Sequence, residues 1–346
     1  MNRRNWQAKA QRLGEMVPRA RLHPATLAWA ARRGPRQSWF VAFSGGADSL
    51  CLLLLLWAHW PERRGALQVL HFNHRLRGRA ATIDEAFCRR VCRALGVKWR
   101  VGRWRRAPRG ASEEEARAAR FAFFERAIHA VKRPVLWLGH NQDDVAETML
   151  MRLARGSGTA GLAAPRPVQP TGRRVHLRPL LTLQKGEIRA ALRWARIPWR
   201  EDHTNLTGSY FRNRIRRDVL PAWQKASGRD AVAGAALARE LLEEDDQAIE
   251  AWLDQIHPFG PGRSLDIARL ADCPRGLVRR ALRRWVALQP RAGELARQGF
   301  EDLLAAVSAG RPARRSLGTE GFAVIRGGRL RFEQKPAAQA SRSKMK

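Results

Sequence analysis

Ser44-Gly45-Gly46-Ala47-Asp48-Ser49 places two glycines, two hydroxyls and one carboxylate within six positions. That combination suits a phosphate anion. Gly45 and Gly46 let backbone N–H groups approach phosphate oxygens, Ser44 and Ser49 offer hydroxyl donors, and the first N–H groups of a following helix add their dipole. Asp48 would be repelled by bare phosphate, so its presence suggests a bridging Mg²⁺. A G-x-x-x-x-G-K-[ST] loop is absent, and with it the lysine that holds β and γ phosphates, which points away from γ-phosphoryl transfer. The same six residues also read as a tight turn with a helix cap.

A second group lies downstream. His140, Asp144 and Glu147 fall at i, i+4 and i+7, so a helix beginning near His140 would carry all three on one face. Asp143-Asp144 also fits ordinary capping at a helix start. Arg117 and Arg120 share a face at i and i+3, and Arg212, Arg214 and Arg216 belong to a cationic run that either binds phosphate bidentately or forms a solvated face.

These residues need a scaffold that brings them together. Trp39 to Phe43 reads as a short apolar strand, followed by the glycine turn and the apolar helix Leu50 to His59. The alternation recurs as strand Leu67 to Phe72 with helix Ile83 to Leu95, strand Val97 to Arg103 with helix Glu113 to Val131, and strand Val135 to Gly139 with helix Asp143 to Ala154. Apolar strands alternating with helices predict an α/β fold, a parallel sheet covered on both faces. The loop would then sit at the sheet's carboxyl edge, where ligands of open α/β folds collect. Gly156 to Gly172 reads as a loop, with strand Val175 to Leu177 and helix Lys185 to Ala195 after it.

The expected organisation is a basic N-terminal arm over 1–36, a nucleotide domain over 37–225, a small, mainly helical C-terminal domain over 226–335, and a disordered tail over 336–346. The C-terminal helices are expected at Ala231 to Trp252, Asp266 to Ala271, Gly276 to Val286 and Glu294 to Ala309, before a hairpin over Phe322 to Phe332 turned at Gly327-Gly328.

The loop resembles the pyrophosphate (PP) loop of ATP pyrophosphatases, enzymes of the adenine nucleotide alpha hydrolase-like fold that cleave ATP between its α and β phosphates. Further motifs resemble one family of them, the tRNA(Ile)-lysidine synthetases. His71-Phe72-Asn73-His74-Arg75-Leu76-Arg77 is similar to an H-x-N-H-x-L-R signature, and Gly139-His140-Asn141-Gln142-Asp143-Asp144-Val145-Ala146-Glu147-Thr148 to a G-H-x-x-x-D-x-x-E-T signature. The helix Ser112 to Phe121 matches with Phe121 in place of a common tyrosine, and Ile197 to Asp202, Thr204-Asn205 and Arg212 to Arg216 match the segment that ends the domain.

The resemblance implies a ligase forming a carbon–nitrogen bond. It uses ATP to adenylate C2 of the wobble cytidine in the CAU anticodon of tRNA-Ile, after which L-lysine displaces AMP. It further implies that Ser44 to Ser49, His71 and Asn73 bind ATP, that Asp48, His140, Asp144 and Glu147 are catalytic, and that Asp48 and Glu147 hold Mg²⁺. His140 would donate to the α-phosphate, and Asp144 would receive the lysine ammonium. Arg117, Arg120, Arg212, Arg214 and Arg216 would contact phosphate or tRNA. The C-terminal part looks like the shorter architecture of the family, and a homodimer is possible.

Charge agrees with a polyanionic partner. The 346 residues carry 65 Lys plus Arg against 31 Asp plus Glu, a net charge of +34, of which +28 falls up to residue 225 (44 basic, 16 acidic) and +6 after it (21 and 15). Part of the arginine richness has a bland explanation in genomic base composition. Cys51, Cys88, Cys92 and Cys273 make neither a disulfide framework nor a C-x-x-C pair, and no signal peptide or membrane span is legible, so a cytoplasmic protein is expected.

Two rivals remain. A thiolating PP-loop tRNA enzyme would need sulfur chemistry, and Cys88 and Cys92, though at i and i+4, are expected away from the loop. An inert RNA-binding relative would not need carboxylates facing a polyanion.

Overall fold

The structure is a computed structural model that describes residues 3–34, 37–76, 78–108, 110–201, 210–289, 295–318 and 321–335. Two compact units divide between Glu243 and Glu244.

The first unit opens with α1 (Arg3–Met16) and α2 (Pro24–Ala31), then alternates β1 (Trp39–Ala42), α3 (Ala47–His59), β2 (Leu67–Asn73), α4 (Arg79–Leu95), β3 (Lys98–Arg103), α5 (Glu113–Ile128), β4 (Val135–Trp137) and α6 (Gln142–Leu153). A short α7 (Thr159–Leu162), β5 (Val168–Thr171), β6 (Arg174–Leu177), α8 (Lys185–Trp194), α9 (Phe211–Arg214), a π-helical turn Ile215–Val219, α10 (Leu220–Ser227) and α11 (Ala231–Ile256) follow. The sheet order is β3-β2-β1-β4-β6-β5, parallel except for the antiparallel β5–β6 pair. The fold is the expected α/β class. One strand was not expected: β5 lies inside the Gly156 to Gly172 stretch read as a loop, because Gln169-Pro170 at the sheet's edge leaves no apolar run to read.

β1 is the hinge of the topology. Its neighbours β2 and β4 carry the chain away in opposite directions across the sheet, so the carboxyl end of β1 faces the crevice where such folds bind ligands. Trp39, Phe40 and Val41 are completely buried, as a central parallel strand requires. Under β1 the Trp39 ring sits 4.6 Å from Trp137 and 5.4 Å from Trp60, and every leucine of α3 is buried against this layer.

The expected N-terminal arm is part of this core. Trp6, Ala10 and Leu13 repeat at helical spacing on one buried face of α1, and Trp6 meets Phe87 of α4 edge-on at 6.3 Å. The boundary expected at residue 225 also lies further on, inside α11. Ala235 of α11 is buried with Ala146, Ile215 and Leu220, which ties the start of that helix to the first unit.

The second unit contains β7 (Phe259–Gly260), β8 (Ser264–Asp266), α12 (Arg275–Ala287), α13 (Arg297–Ser308), β9 (Ala313–Ser316), β10 (Gly321–Arg326) and β11 (Arg329–Gln334). α12 and α13 and the β10–β11 hairpin lie where expected, and Gly327 and Gly328 both take the positive φ of a tight hairpin turn. The hairpin belongs to a five-stranded antiparallel sheet, order β7-β8-β11-β10-β9, and residues 266–271 form the end of β8 and one 3₁₀ turn rather than an α-helix. Expected features at Arg77, Asp202, Thr204, Asn205, Glu294 and residues 336–346 lie outside the described residues.

Candidate active site

The loop follows β1 directly. Gly45 has φ +95°, a conformation that disfavours a side chain, and a Cβ there would also stand 3.1 Å from Cys88 Sγ. Cys88 therefore packs under the loop, against the expectation that it lies away from it. α4 runs beneath the sheet edge and brings that face to Gly45. Ser44 and Ser49 hydroxyls lie 3.0 Å apart, Ser49 Oγ accepts from Ser44 N at 3.2 Å, and Ser44 Oγ accepts from Gly46 N at 3.3 Å. These bonds hold the loop in shape before any anion arrives. The first-turn N–H groups of α3, at Ala47, Asp48 and Ser49, have no intrahelical acceptor and form the positive end of its dipole.

A cavity of about 680 Å³ opens above the loop, lined by Ser44, Gly46, Asp48 and Ser49 on one side, His71 and Asn73 from β2, Arg117 and Arg120 from α5, His140 and Asp144 after β4, and Arg212 and Arg216. Most of the residues expected at the site thus meet around one space. Gly45, Ala47, Glu147 and Arg214 are not on its wall.

Asp48 is held largely out of water beside Asp144, and both effects push its carboxyl up to about 6. Its Oδ1 is buried with no hydrogen-bond partner. An oxygen in that state suits a cation. Glu147 differs. It is completely buried, and Arg216 Nε donates to its Oε1 at 2.6 Å while Arg212 Nε and Arg216 Nη2 donate to its Oε2 at 2.7 and 2.9 Å. Glu147 was expected to face the nucleotide as a metal ligand; here it lies off the cavity wall, with both its oxygens accepting from guanidinium groups.

α6 begins at Gln142, two residues later than the His140 start that would line three side chains on one face. Asn141 and Asp144 form a reciprocal capping box: Asp144 N donates to Asn141 Oδ1 at 3.0 Å, and Asn141 N to Asp144 Oδ2 at 3.1 Å. Asp144 also accepts from Arg212 Nη2 at 2.7 Å through Oδ1. Capping and cavity lining are both true of it.

His140 is surrounded by cations. Burial and the neighbouring Arg178, Arg212, Arg117 and Arg120 hold its imidazolium form well below the usual histidine range, so the ring is neutral. Arg120, desolvated and close to Arg117 and Arg212, is itself lowered to about 10. Both Arg117 and Arg120 stand over the Phe121 ring, at 4.8 and 5.7 Å. Arg214 instead is exposed and stands over Phe211.

His71 Nδ1 lies 2.8 Å from the Phe43 carbonyl oxygen, to which it donates, while its buried Nε2 has no partner. Asn73 is committed elsewhere. Its Nδ2 donates to Ala81 O at 3.2 Å and Glu85 Oε2 at 3.0 Å, and its Oδ1 accepts from Arg75 N at 2.9 Å. Its side chain therefore shapes the turn after β2, while Asn73 also lines the cavity as expected.

Two residues at this site, Asp84 and Arg178, carry no motif in the sequence, and Arg200 belongs to the Ile197 to Asp202 motif without an expected role. Asp84, buried on α4, accepts from Arg200 Nε at 2.6 Å, and Arg200 N donates to the Gly45 carbonyl at 3.0 Å, so the 197–201 segment braces the loop. Arg178, just past β6, donates to His140. The available signals were an acid on the apolar face of α4 and an Arg-Pro step at a strand's end.

Residues 23–223, more than half of the chain, match the PP-loop domain family. The chain belongs to that PP-loop family. A tRNA(Ile)-lysidine synthase from Symbiobacterium thermophilum is 37% identical over 265 residues, which is 72% of this chain and 55% of that protein. Another from Solibacter usitatus is 43% identical over 182 residues, 52% of this chain and 40% of that one. This PP-loop chain spans about half the length of the curated relatives it matches. The solved U34-tRNA thiolase NcsA from Methanococcus maripaludis, with a [4Fe-4S] cluster, is similar at a TM-score of 0.49 and 18% identity, covering 68% of this chain and 78% of that one.

Proposed function

We propose that this chain is a tRNA(Ile)-lysidine synthase: it uses ATP to ligate L-lysine to C2 of the wobble cytidine of a CAU-anticodon isoleucine tRNA. The observation that carries the reading is one cavity in which the PP-loop, Asp48, neutral His140, Asp144 and a cluster of arginines converge, in a chain resembling synthases of that name.

In this reading the cytidine C2 oxygen attacks the α-phosphorus of ATP, the bond to the β-phosphate bridging oxygen breaks, and pyrophosphate leaves. Loop N–H groups and the hydroxyls of Ser44 and Ser49 cradle the leaving phosphates. His140 donates to an α-phosphate oxygen as negative charge builds there, and Arg117 and Arg120 add fixed positive charge opposite the loop. The lysine amine, having given a proton to Asp144, then attacks C2, and AMP departs with the C2 oxygen. Asp144 receives the lysine ammonium before attack. The wobble base must be splayed from the anticodon stack to enter the cavity.

Mg²⁺ fits Asp48, whose unpartnered buried oxygen lies at the phosphate loop, and when bound it neutralises phosphate charge. Glu147 acts instead as the counter-ion that fixes Arg212 and Arg216. Electrostatic grip on the tRNA belongs largely to the first unit. In the second, Arg279, Arg280 and Arg284 of α12 are paired with Glu301, Asp246, Glu250 and Asp254, leaving Arg314, Arg326, Arg329 and Arg331 of the sheet exposed for the tRNA body.

Thiolation would require reactive sulfur, whereas burial raises the thiols of Cys51, Cys88 and Cys92, the last to about 12. Among the described residues no helix is long and apolar enough to cross a membrane. The decisive experiment incubates the protein with ATP, radiolabelled lysine and CAU-anticodon tRNA. Label is expected in the RNA, and its absence there would overturn the assignment.

A further inference from the structure

Arg178 is only 4% exposed, and among the described residues its side chain bonds no carboxylate: its Nη1 donates to the Arg166 carbonyl at 2.6 Å and its Nε to His140 Nδ1 at 3.0 Å. Its own backbone N–H is tied to Pro167 O at 2.9 Å. The side chain is thus fixed at both ends. Four positions back, at the start of β6, Arg174 donates to His176 Nε2 at 2.8 Å in the same way, but Arg174 is balanced by Glu125 at 2.6 Å.

A guanidinium has five N–H donors and no acceptor, so the ring nitrogen it meets must offer a lone pair. A neutral imidazole carries one N–H, which must then be on the other nitrogen. We infer that Arg178 is a positioning residue that locks His140 in the Nε2–H tautomer and aims that N–H into the cavity, making His140 a hydrogen-bond donor to the reacting phosphate rather than a base. The role assigned to the donated bond rests on the adenylation reading above; the tautomer does not.

Three features agree. His140 lines the cavity, and its Nδ1 is turned to Arg178. Burial, followed by the surrounding Arg178, Arg212, Arg117 and Arg120, keeps the ring from taking a second proton. A preformed neutral donor stabilises developing negative charge without a proton having to move first. The contact is also long-range: it exists because β6 pairs beside β4, with Leu177 opposite Trp137, which sets Arg178 next to the turn that carries His140.

The test is ¹⁵N NMR of histidine-labelled full-length protein, with the His140 signals assigned from the His140→Gln spectrum. Wild type is expected to show Nε2–H with a bare Nδ1. In Arg178→Met, His140 should redistribute toward Nδ1–H, and kcat for lysine transfer to tRNA should fall on the order of a hundredfold with KM for ATP within about threefold. Arg178→Lys, which keeps a donor, should retain the tautomer and lose less. A wild-type His140 carrying its proton on Nδ1, or an unchanged tautomer in Arg178→Met, overturns the inference. The wild-type spectrum decides even if the Met variant does not fold. Absence of lysine transfer by the wild type would sink the proposed function while leaving the tautomer measurement standing.

Discussion

Gly139 passes so close to Asp48 that a Cβ on it would lie 2.9 Å from the Asp48 carbonyl oxygen and 3.0 Å from its carbonyl carbon. The end of β4 and the start of α3 are thus in backbone contact, and only a residue without a side chain lets them meet. Gly139→Ala should push the phosphate loop out of register. We expect a loss of about 1–3 kcal/mol in unfolding free energy and a drop of tenfold or more in ATP affinity, on the order of 1.4 kcal/mol, read by thermal denaturation and calorimetric titration. Unaltered ATP affinity would mean the loop does not depend on this approach.

Glu147 makes a different kind of test. As counter-ion to Arg212 and Arg216 it should matter in the bare protein, with no Mg²⁺ or ATP present. Glu147→Gln leaves two part-buried guanidinium groups uncompensated, and about 2–3 kcal/mol of stability should go, measured by urea unfolding in EDTA. A variant as stable as wild type that loses only Mg²⁺-dependent activity would return Glu147 to the role of metal ligand.

Asp48 should behave in the opposite way. Its carboxyl is raised to about 6 by burial and by Asp144, so removing it relieves an unfavourable charge. Asp48→Ala should abolish tRNA-dependent ATP–pyrophosphate exchange without loss of stability, and tRNA affinity should stay within about threefold, since phosphate contacts by arginine carry it. Undiminished exchange in this variant contradicts the proposed mechanism.

Glu85 gives a pH signature away from the reacting atoms. Arg103 bonds it with two nitrogens and Asn73 adds a third donor, which lowers its pKa from 4.5 to about 2. The folded value lies below the unfolded one, so its contribution is complete above about pH 4.5 and is lost as pH falls toward about 2. Acid titration of unfolding free energy should show wild type and Glu85→Gln differing at neutral pH and converging across that window. Parallel curves would remove Glu85 from the account.

The charge excess predicts salt-sensitive binding. The logarithm of tRNA affinity should fall linearly with the logarithm of salt concentration, with a slope set by the number of phosphates neutralised. Charge-to-alanine changes at Arg117 or Arg120 should each shallow that slope by about one if the residue contacts phosphate. A flat response in wild type is incompatible with phosphate contacts.

The loop was legible because its chemistry is local. Gly45, Gly46 and the α3 dipole need only neighbouring residues, and the strand-turn-helix pattern that presents them follows from hydrophobic period. The family resemblance was legible for a similar reason, since its motifs are short and contiguous. α1 is harder to recognise: its buried face of Trp6, Ala10 and Leu13 has helical spacing, but the surrounding arginines obscure it.

Sequence alone therefore determined the class of fold, the position of the phosphate loop and the set of polar residues near it. Tertiary structure decided which of them face the cavity and what state each is in. Glu147 is three residues from Asp144, yet one is sealed by Arg212 and Arg216 and the other reaches the cavity. Asn73 is consumed by Glu85 and Ala81, and His140 receives its tautomer from Arg178, 38 positions away. Those partners come from other strands and helices, and no spacing along the chain encodes them. Burial and the nearest charge set protonation and availability, and both are properties of the packed molecule.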